Sequence, residues 1–177
     1  MENKFLAHIA EDGREQTVFE HLAAEFSRPF GGEAQGLLAG TAHDIGKYSA
    51  AFQRRLTGDS RRVDHATAGA FECMGRGQPF AAFAVAGHHG GLPDGGGRGD
   101  GPEAATFWGR INRAGRGGLE PYGAWAREVS LPGGQPPPFA KQNPGAGMFF
   151  IRMLYSCLVA ADFLDTEAFM SGKPRGS

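Results

Sequence analysis

The chain has 177 residues, 41% hydrophobic and 21% charged, which is typical of one globular domain with a buried core. Its net charge of −1 provides no overall positive field of the kind that attracts nucleic acids non-specifically. The two cysteines show no CxxC spacing, the first residues carry no signal-peptide pattern, and no run of 18 apolar residues occurs. We therefore expect a cytoplasmic protein without a disulfide framework or a membrane span.

The first predicted helix covers residues 16–27, because four apolar side chains recur on one of its faces: Val18, Phe19, Leu22 and Phe26. His21 lies at the border of that face, where a ligand could point into a cleft. No segment alternates between apolar and polar residues for long, and no Asn-Gly turn joins two β-branched runs. We therefore predict no β-strand.

Two further helices are predicted on either side of a His-Asp pair. Residues 33–43 form a helix of small residues that ends at His43 and Asp44, with Gly46 as its terminator. Residues 48–56 continue as a short helix. The pair is thus expected at a helix end, from which both side chains can reach one metal ion.

The middle of the chain predicts two helices and a glycine-rich loop. Asp64 is a good N-cap for a helix over 65–74, and 80–88 is a compact apolar helix with the doublet His88-His89 at its end. Residues 90–101 contain too many glycines for regular structure. A plain surface loop is the commoner case for such a segment, and a flap over the site is the alternative.

The C-terminal part predicts a helix over 103–114, an extended proline-rich connector over 130–144 and a long helix over 147–170. On the last helix Asp162 falls on or beside the buried face, where a carboxylate is costly unless it is paired or bound to a metal. Residues 171–177 look like a linker or tail. The prediction is all-α: a single compact helical bundle over 1–170, with Gly/Pro-rich loops and the site between helices.

Five of the six histidines form an evenly spaced series with two aspartates, and we predict a two-metal hydrolase site from it. Its members are His21, His43, Asp44, His65, His88, His89 and Asp162. Imidazole and carboxylate are the usual ligands of borderline transition metals, and one carboxylate can bridge two ions. A ligand set with this many nitrogen atoms favours Mn, Fe, Co or Ni over Mg.

Other readings of these residues are weaker. Each histidine alone could be a surface or core-edge residue, and only their joint occurrence with Asp162 favours a metal. His8 fits the series less well and is expected to be structural or to support the site. The chain has no Gly-x-Ser-x-Gly elbow, no cysteine pair for a zinc finger or deaminase and no phosphate-binding P-loop.

The same series resembles the HD superfamily of metal-dependent phosphohydrolases. More narrowly, it resembles the HD nuclease domain of the CRISPR-associated type I helicase-nuclease, in particular the type I-C branch. Three stretches carry the resemblance: Ala-His-Ile through Gln-Thr-Val-Phe-Glu-His-Leu, then His-Asp-Ile-Gly-Lys-Tyr-Ser-Ala-Ala-Phe-Gln, then Leu-Val-Ala-Ala-Asp-Phe-Leu-Asp-Thr-Glu. It spans nearly the whole chain, without a helicase portion, which implies a separate nuclease subunit or one domain of a larger protein.

The resemblance implies a role for each position. His21, His43, Asp44 and Asp162, rather than Asp165, would hold one metal. Asp44 would bridge to a second metal, which His65, His88 and His89 complete. The implied catalytic residues are Asp44 and Lys47, and the lysine would contact a phosphate or orient the site.

The implied substrate is single-stranded DNA, cut during CRISPR interference, with a helicase and a CRISPR surveillance complex as partners. Arg–phosphate contacts and aromatic stacking are enough to hold such a strand, and four arginines near the His-Asp pair are candidates: Arg54, Arg55, Arg61 and Arg62. A solvated charged face is an equally good reading of these arginines. Two rival functions stay open, namely an HD-GYP-like cyclic-dinucleotide phosphodiesterase and a non-catalytic docking module.

Overall fold

The computed structural model describes residues 6–9, 15–17, 22–58 and 62–171. Within these residues the chain forms seven α-helices: α1 Leu22–Ser27, α2 Glu33–Ala42, α3 Ala50–Leu56, α4 Ala66–Gly75, α5 Pro79–Gly87, α6 Phe107–Gly115 and α7 Pro144–Ser171. Short 3-10 helices lie between them: Arg28–Phe30, Ile45–Tyr48, Gly123–Arg127 and Pro138–Lys141. The predicted all-α class is confirmed at this coarse level, as a mostly helical structure.

One small β-structure corrects the prediction for the N-terminal segment. Strand β1, Leu6–Ile9, pairs antiparallel with β2, Glu15–Thr17, with an irregularity between Leu6 and His8. The helix predicted from residue 16 is therefore wrong over its first two residues, and α1 is described only from Leu22. The signal that could have revealed the pair is Asp12-Gly13, since Asp-Gly favours tight hairpin turns. Those two residues themselves lie outside the described ranges.

The other helix boundaries mostly agree with the sequence patterns. Helices α2 to α5 begin and end within two residues of the predicted positions. Helix α6 begins four residues later than predicted, because the Thr106 hydroxyl caps it by accepting the Gly109 N–H at 3.1 Å. Helix α7 begins at Pro144, since proline is well suited to the first turn of a helix. The predicted extended connector contains the 3-10 helix Pro138–Lys141.

Helix α5 is central, because it packs against α2, α4 and α7. Its core face consists of small side chains that are fully buried: Ala81, Ala82, Ala84 and Val85. Such residues let neighbouring helices approach closely, and Gly69 on α4 shows the same feature, since a Cβ there would overlap the Ala42 carbonyl of α2. Close packing of these helices brings the C-terminal ends of α2 and α5 and the N-terminal end of α4, with the histidines at those ends, into one region.

The glycine-rich loop is anchored to α6. The Phe107 and Trp108 amides donate to the Asp94 and Gly95 carbonyls at 2.8 and 3.2 Å. The Asn112 side chain donates to two further loop carbonyls, those of Arg98 and Asp100. Residues 90–101 contain no regular helix or strand, as predicted, but these bonds hold the loop in a defined position beside the site.

Helix α7 has one face in the core and one face outside it. Its buried residues include Phe150, Leu154, Leu158 and Ala161, and its exposed apolar residues include Phe149 and Phe163. By length and composition alone, Pro144–Met170 would also be able to cross a membrane, a test that core helices of soluble proteins pass as well. The sequence criterion used above asked for an uninterrupted apolar run, which Arg152 and Asp162 prevent.

Candidate metal centre

Four segments of the bundle bring their polar residues to one place. His43 and Asp44 form the turn after α2, and Lys47 follows in a 3-10 helix. His65 immediately precedes α4, the doublet His88-His89 follows α5, and Asp162 lies in the middle of α7. We call His43, Asp44, His65, His88, His89 and Asp162 the histidine cluster. Gly46 permits this arrangement, because a Cβ at that position would overlap the backbone of His65. It lies inside a 3-10 helix rather than terminating α2, which corrects the role predicted for it.

The Asp44 carboxylate is the centre of the cluster. Its Oδ1 lies 3.9 Å from His65 Nε2 and 4.0 Å from His88 Nε2. Its Oδ2 lies 2.6 Å from Lys47 Nζ and 3.4 Å from His43 Nε2. The two oxygens therefore face different sets of histidines, which is the arrangement that a bridging carboxylate requires.

Two backbone hydrogen bonds orient the buried rings. His43 Nδ1 lies 2.7 Å from the Gly40 carbonyl, and His88 Nδ1 lies 2.7 Å from the Val85 carbonyl. A carbonyl only accepts, so each Nδ1 must carry its proton and donate it. The Nε2 atom of each ring is thereby directed towards Asp44. A carbonyl behind the ring is the usual partner of a metal-binding histidine, because it fixes both the tautomer and the orientation.

Four buried polar atoms of the cluster have no hydrogen-bond partner. Among the residues that the structure describes, these are the buried side-chain nitrogen and oxygen atoms in that condition: His43 Nε2, Asp44 Oδ1, His65 Nδ1 and His88 Nε2. An unpartnered buried polar atom costs about 1–3 kcal/mol, and here all of them are in one site. The ligand atoms of Asp44, His65, His88 and His89 lie within 4.8 Å of one another and could hold a metal ion. A cation would satisfy three of these atoms, His43 Nε2, Asp44 Oδ1 and His88 Nε2, so the donor set fits a metal.

The outer part of the cluster contains two further close pairs. His65 Nε2 and His89 Nε2 are 2.7 Å apart, so in the absence of metal one of them must donate a proton to the other. A metal bound there would need the lone pairs of both. Asp162 Oδ1 lies 3.6 Å from His43 Nε2, too far for a hydrogen bond but close enough for a strong charge interaction.

The electrostatics of the cluster separate one histidine from the others. Burial disfavours the charged form of His43, but Asp44 and Asp162 together outweigh it and raise its pKa to about 9. Burial lowers the pKa of His65 to about 4, against the attraction of Asp44. Burial also lowers the pKa values of His88 and His89. At neutral pH, three of the imidazoles are therefore neutral and able to bind a metal, whereas His43 carries a proton that a metal would displace.

The structure describes most of the predicted site residues. The structure brings together His43, Asp44, His65, His88, His89 and Asp162, while His21 lies outside the described residues. The side chain of His8 is likewise not described. Lys47 is only 2% exposed and its ammonium is bound to Asp44, an arrangement suited to orienting that carboxylate. The predicted preference for Asp162 is consistent with the position of its carboxylate beside His43.

A cleft of about 870 Å³ opens beside the cluster, with His65, His89 and Lys47 in its wall. The rest of its wall includes three arginines and several apolar side chains: Arg55, Arg62, Arg110, Phe52, Leu56, Leu92 and Pro93. Of the four arginines predicted to bind phosphate, Arg55 and Arg62 line the cleft. Arg54 is not among the lining residues, and Arg61 lies outside the described residues. Sequence reasoning missed Arg110, because nothing in its local pattern distinguishes an arginine that crosses to other helices.

Comparison of the chain with protein-family models finds no match, and comparison with curated protein sequences finds none either. The structural evidence for a function therefore comes from the geometry of the histidine cluster and the cleft.

Proposed function

We propose that the protein is a metal-dependent phosphodiesterase that hydrolyses single-stranded DNA. The observation that supports this most directly is the set of three buried, unpartnered ligand atoms, His43 Nε2, Asp44 Oδ1 and His88 Nε2, next to an arginine-lined cleft. Orphaned nitrogen and oxygen atoms on oriented imidazoles and a carboxylate suit a metal ion. Arginine guanidinium groups beside such an ion suit a substrate with phosphates, since their planar donors match phosphate oxygens.

The proposed ligand sets follow the two sides of Asp44. His43, Asp44 and Asp162, with His21, would hold one ion, and His65, His88 and His89 would hold a second that Asp44 also binds. Four or five imidazoles favour Mn, Fe, Co or Ni over Mg. Bound in pairs, such ions lower the pKa of a water and stabilise charge on the phosphoryl oxygens.

The chain's own residues would have separate tasks in this reaction. Lys47 holds the Asp44 carboxylate and neutralises part of its charge through the contact at Oδ2. The Gly40 and Val85 carbonyls keep His43 and His88 in position. Arg55 and Arg62 would bind phosphates of the strand on either side of the bond to be cut, while Phe52 and Leu92 offer apolar surface to sugars and bases. The apolar helices behind the cluster exclude bulk water from all but its outer side.

The proposal includes the identity suggested by the motifs, an HD-type nuclease domain that works in CRISPR interference with a helicase and a surveillance complex. Its support is the sequence resemblance together with the convergence of the described motif residues. The two rivals make different predictions. A cyclic-dinucleotide phosphodiesterase would use the same metals on a smaller substrate, and a docking module would show no turnover.

The test begins with protein stripped of metal by a chelator and reloaded with Mn, Co, Ni or Mg. Single-stranded DNA, duplex DNA and cyclic di-GMP are then supplied in parallel. We expect cleavage of single-stranded DNA with the transition metals, and a cleavage rate at least 100-fold lower in the Asp44→Ala variant. Cleavage of cyclic di-GMP alone would support the first rival, and no turnover with any metal would support the second.

A matched pair on α7 sharpens this test. Asp162→Asn should reduce the rate strongly, because its carboxylate lies beside His43, whereas Asp165→Asn on the same helix should cut at nearly the parent rate. Equal rates in the two variants would contradict the role assigned to Asp162. Parent-like cleavage by Asp44→Ala would contradict the two-metal proposal as a whole.

A further inference from the structure

Arg110 connects two segments of the chain that carry the histidine cluster. From its position on α6, Nε donates to Thr67 Oγ1 at 2.9 Å, and one terminal nitrogen donates to the Ala86 carbonyl at 2.8 Å. The other terminal nitrogen lies 3.4 Å from Asp64 Oδ1. Asp64 immediately precedes His65, Thr67 follows it by two residues, and Ala86 precedes His88 by two. One guanidinium therefore joins the start of α4 to the end of α5.

Those two helix ends carry three of the four residues around the possible metal position: His65 on one side, His88 and His89 on the other. The two sides meet through the packing of α4 against α5 and, at the cluster itself, through the His65–His89 pair and aromatic ring contacts, with Asp44 between them. Helix packing sets the distance between α4 and α5, but the side-chain contacts at the cluster itself come from residues that must bind the metal, so a further connection between the two ends would help to fix the histidines. Arg110 provides that connection from outside the ligand set.

We propose that Arg110 is a positioning residue that sets the separation of His65 from His88 and His89 and so determines the affinity of the site for metal. The inference rests on the proposed function in so far as it assumes a metal at this cluster. Arg110 would act through the geometry of its guanidinium group rather than through its charge, because three donors in a rigid plane reach three acceptors in different directions. Lysine has one flexible ammonium and could not replace them.

The neighbouring Arg113 provides a matched control. It lies one turn further along α6 and binds the other oxygen of the same partner, Asp64 Oδ2, at 2.8 Å. Within the described part of the chain its hydrogen bonds reach neither Thr67 nor Ala86, so its contact with Asp64 joins α6 to the start of α4. A comparison of the two arginines therefore separates the general effect of a cation on Asp64 from the connection between the histidine-bearing segments.

The experiment measures binding of Mn²⁺ by calorimetry and the visible absorption of bound Co²⁺, which reports ligand geometry, in the stripped protein. We expect Arg110→Gln and Arg110→Lys to weaken Mn²⁺ binding roughly 10- to 100-fold, the usual effect of losing a residue that orients metal ligands. The Co²⁺ spectrum should also change. Arg113→Gln should remain within twofold of the parent in affinity and keep its spectrum.

Arg110 also lines the cleft, so its loss could weaken DNA binding directly. That effect would raise KM and leave metal affinity unchanged, so the metal measurements distinguish it from positioning. If Arg110→Gln does not fold, Thr67→Val removes one of the three acceptors and Thr67→Ser retains it. We then expect weaker Mn²⁺ binding in the valine variant and parent-like binding in the serine variant.

The outcomes are distinct. A folded Arg110→Gln, or Thr67→Val in its place, that binds Mn²⁺ within twofold of the parent overturns the proposal. A parent protein that binds no metal overturns this proposal and the proposed function together. A parent that binds Mn²⁺ but cuts no DNA contradicts only the proposed nuclease activity. The Mn²⁺ affinities of the variants would still decide the role of Arg110.

Discussion

Polar residues lie near both ends of two neighbouring helices, α2 and α5, and the two ends differ. Gln35 lies in the first turn of α2 and is fully buried. Its amide nitrogen donates to Gln78 Oε1 and to the Gly134 carbonyl, each at 2.8 Å, and its oxygen accepts the Ala81 amide at the start of α5. We call these four residues the glutamine cluster. At the opposite ends of the helices lie His43 and His88, whose Nε2 atoms have no partner.

The two ends differ in whether their buried polar groups are hydrogen-bonded within the protein. The glutamine cluster satisfies its hydrogen bonds internally, as structural polar groups in protein cores almost always do. The histidine cluster is buried except on its outer side, where His89 is exposed, and it leaves ring nitrogen and carboxylate oxygen atoms facing one another across 3.4 to 4.0 Å without hydrogen bonds. Such an arrangement lowers the stability of the empty protein and is expected where a ligand completes the site.

The largest expected effect comes from removing an unsatisfied histidine. His88→Phe keeps an aromatic ring in the site and deletes the orphaned Nε2. We expect at least 100-fold weaker Mn²⁺ binding, while the unfolding free energy of the metal-free protein changes by no more than about 1 kcal/mol, since the lost bond to Val85 is offset by the lost orphan.

Denaturation with and without metal measures both quantities. Excess metal should raise the midpoint of the parent and have no effect on the variant. A large loss of metal-free stability in His88→Phe would mean that the histidine cluster is structural, like its counterpart.

The glutamine cluster should behave in the opposite way. Gln35→Leu leaves the buried Gly134 carbonyl and the Ala81 amide without partners, so we expect a loss of about 2–4 kcal/mol in unfolding free energy. Metal affinity measured on the folded variant should be unchanged. Urea denaturation measures the unfolding free energy and calorimetry measures the Mn²⁺ affinity. A variant with the stability of the parent but weak metal binding would mean that the glutamine cluster supports the metal site rather than the fold.

A smaller effect is expected at the helix cap that precedes His65. Asp64 accepts the Thr67 amide at 3.1 Å and the Thr67 hydroxyl at 2.7 Å, as the predicted N-cap of α4 should. Asp64→Ala should cost about 1 kcal/mol at neutral pH. Burial opposes ionisation of Asp64, but the Thr67 hydrogen bonds, with Arg110 and Arg113, outweigh it and lower its pKa.

The lowered pKa gives this effect a defined pH dependence. A carboxyl with a depressed folded pKa stabilises the protein fully above its unfolded value of about 3.9 and loses that contribution as the pH falls through the folded pKa. The stability difference between Asp64→Ala and the parent should therefore be constant from pH 7 to 5 and shrink below about pH 4. Urea midpoints across this range provide the measurement, and a difference that grows in acid would exclude the assigned cause.

The smallest effect concerns the approach to the histidine cluster. Arg54 and Arg55 are adjacent, exposed arginines in the last turn of α3, but only Arg55 lines the cleft. We expect Arg55→Ala to weaken single-stranded DNA binding about two- to fivefold and to reduce the slope of log affinity against log salt by about 0.7. Arg54→Ala should leave both unchanged. Equal effects of the two substitutions would indicate a general charged face rather than a cleft.

The sequence by itself determined most of the helices and which side chains are candidates for the site. The apolar periodicity of α2, α4 and α5, the Asp64 cap and the positions of His43 and His88 at helix ends are local properties, written in neighbouring residues. The choice of candidate metal ligands was also local, because histidines and buried aspartates are few and chemically distinctive. The strand pair was missed because its signal, one Asp-Gly step, is weak beside the apolar pattern that follows it.

Only the tertiary structure decided which atoms face one another. The division of Asp44 between Lys47 on one oxygen and two histidines on the other depends on packing between distant segments, which Gly46 permits. The difference between Arg54 and Arg55, and the reach of Arg110 to α4 and α5, depend likewise on where helices lie in space. The contacts of Asp44 with His65 and His88, and of Arg110 with Thr67 and Ala86, join residues more than 20 positions apart, and no local pattern in a sequence encodes them.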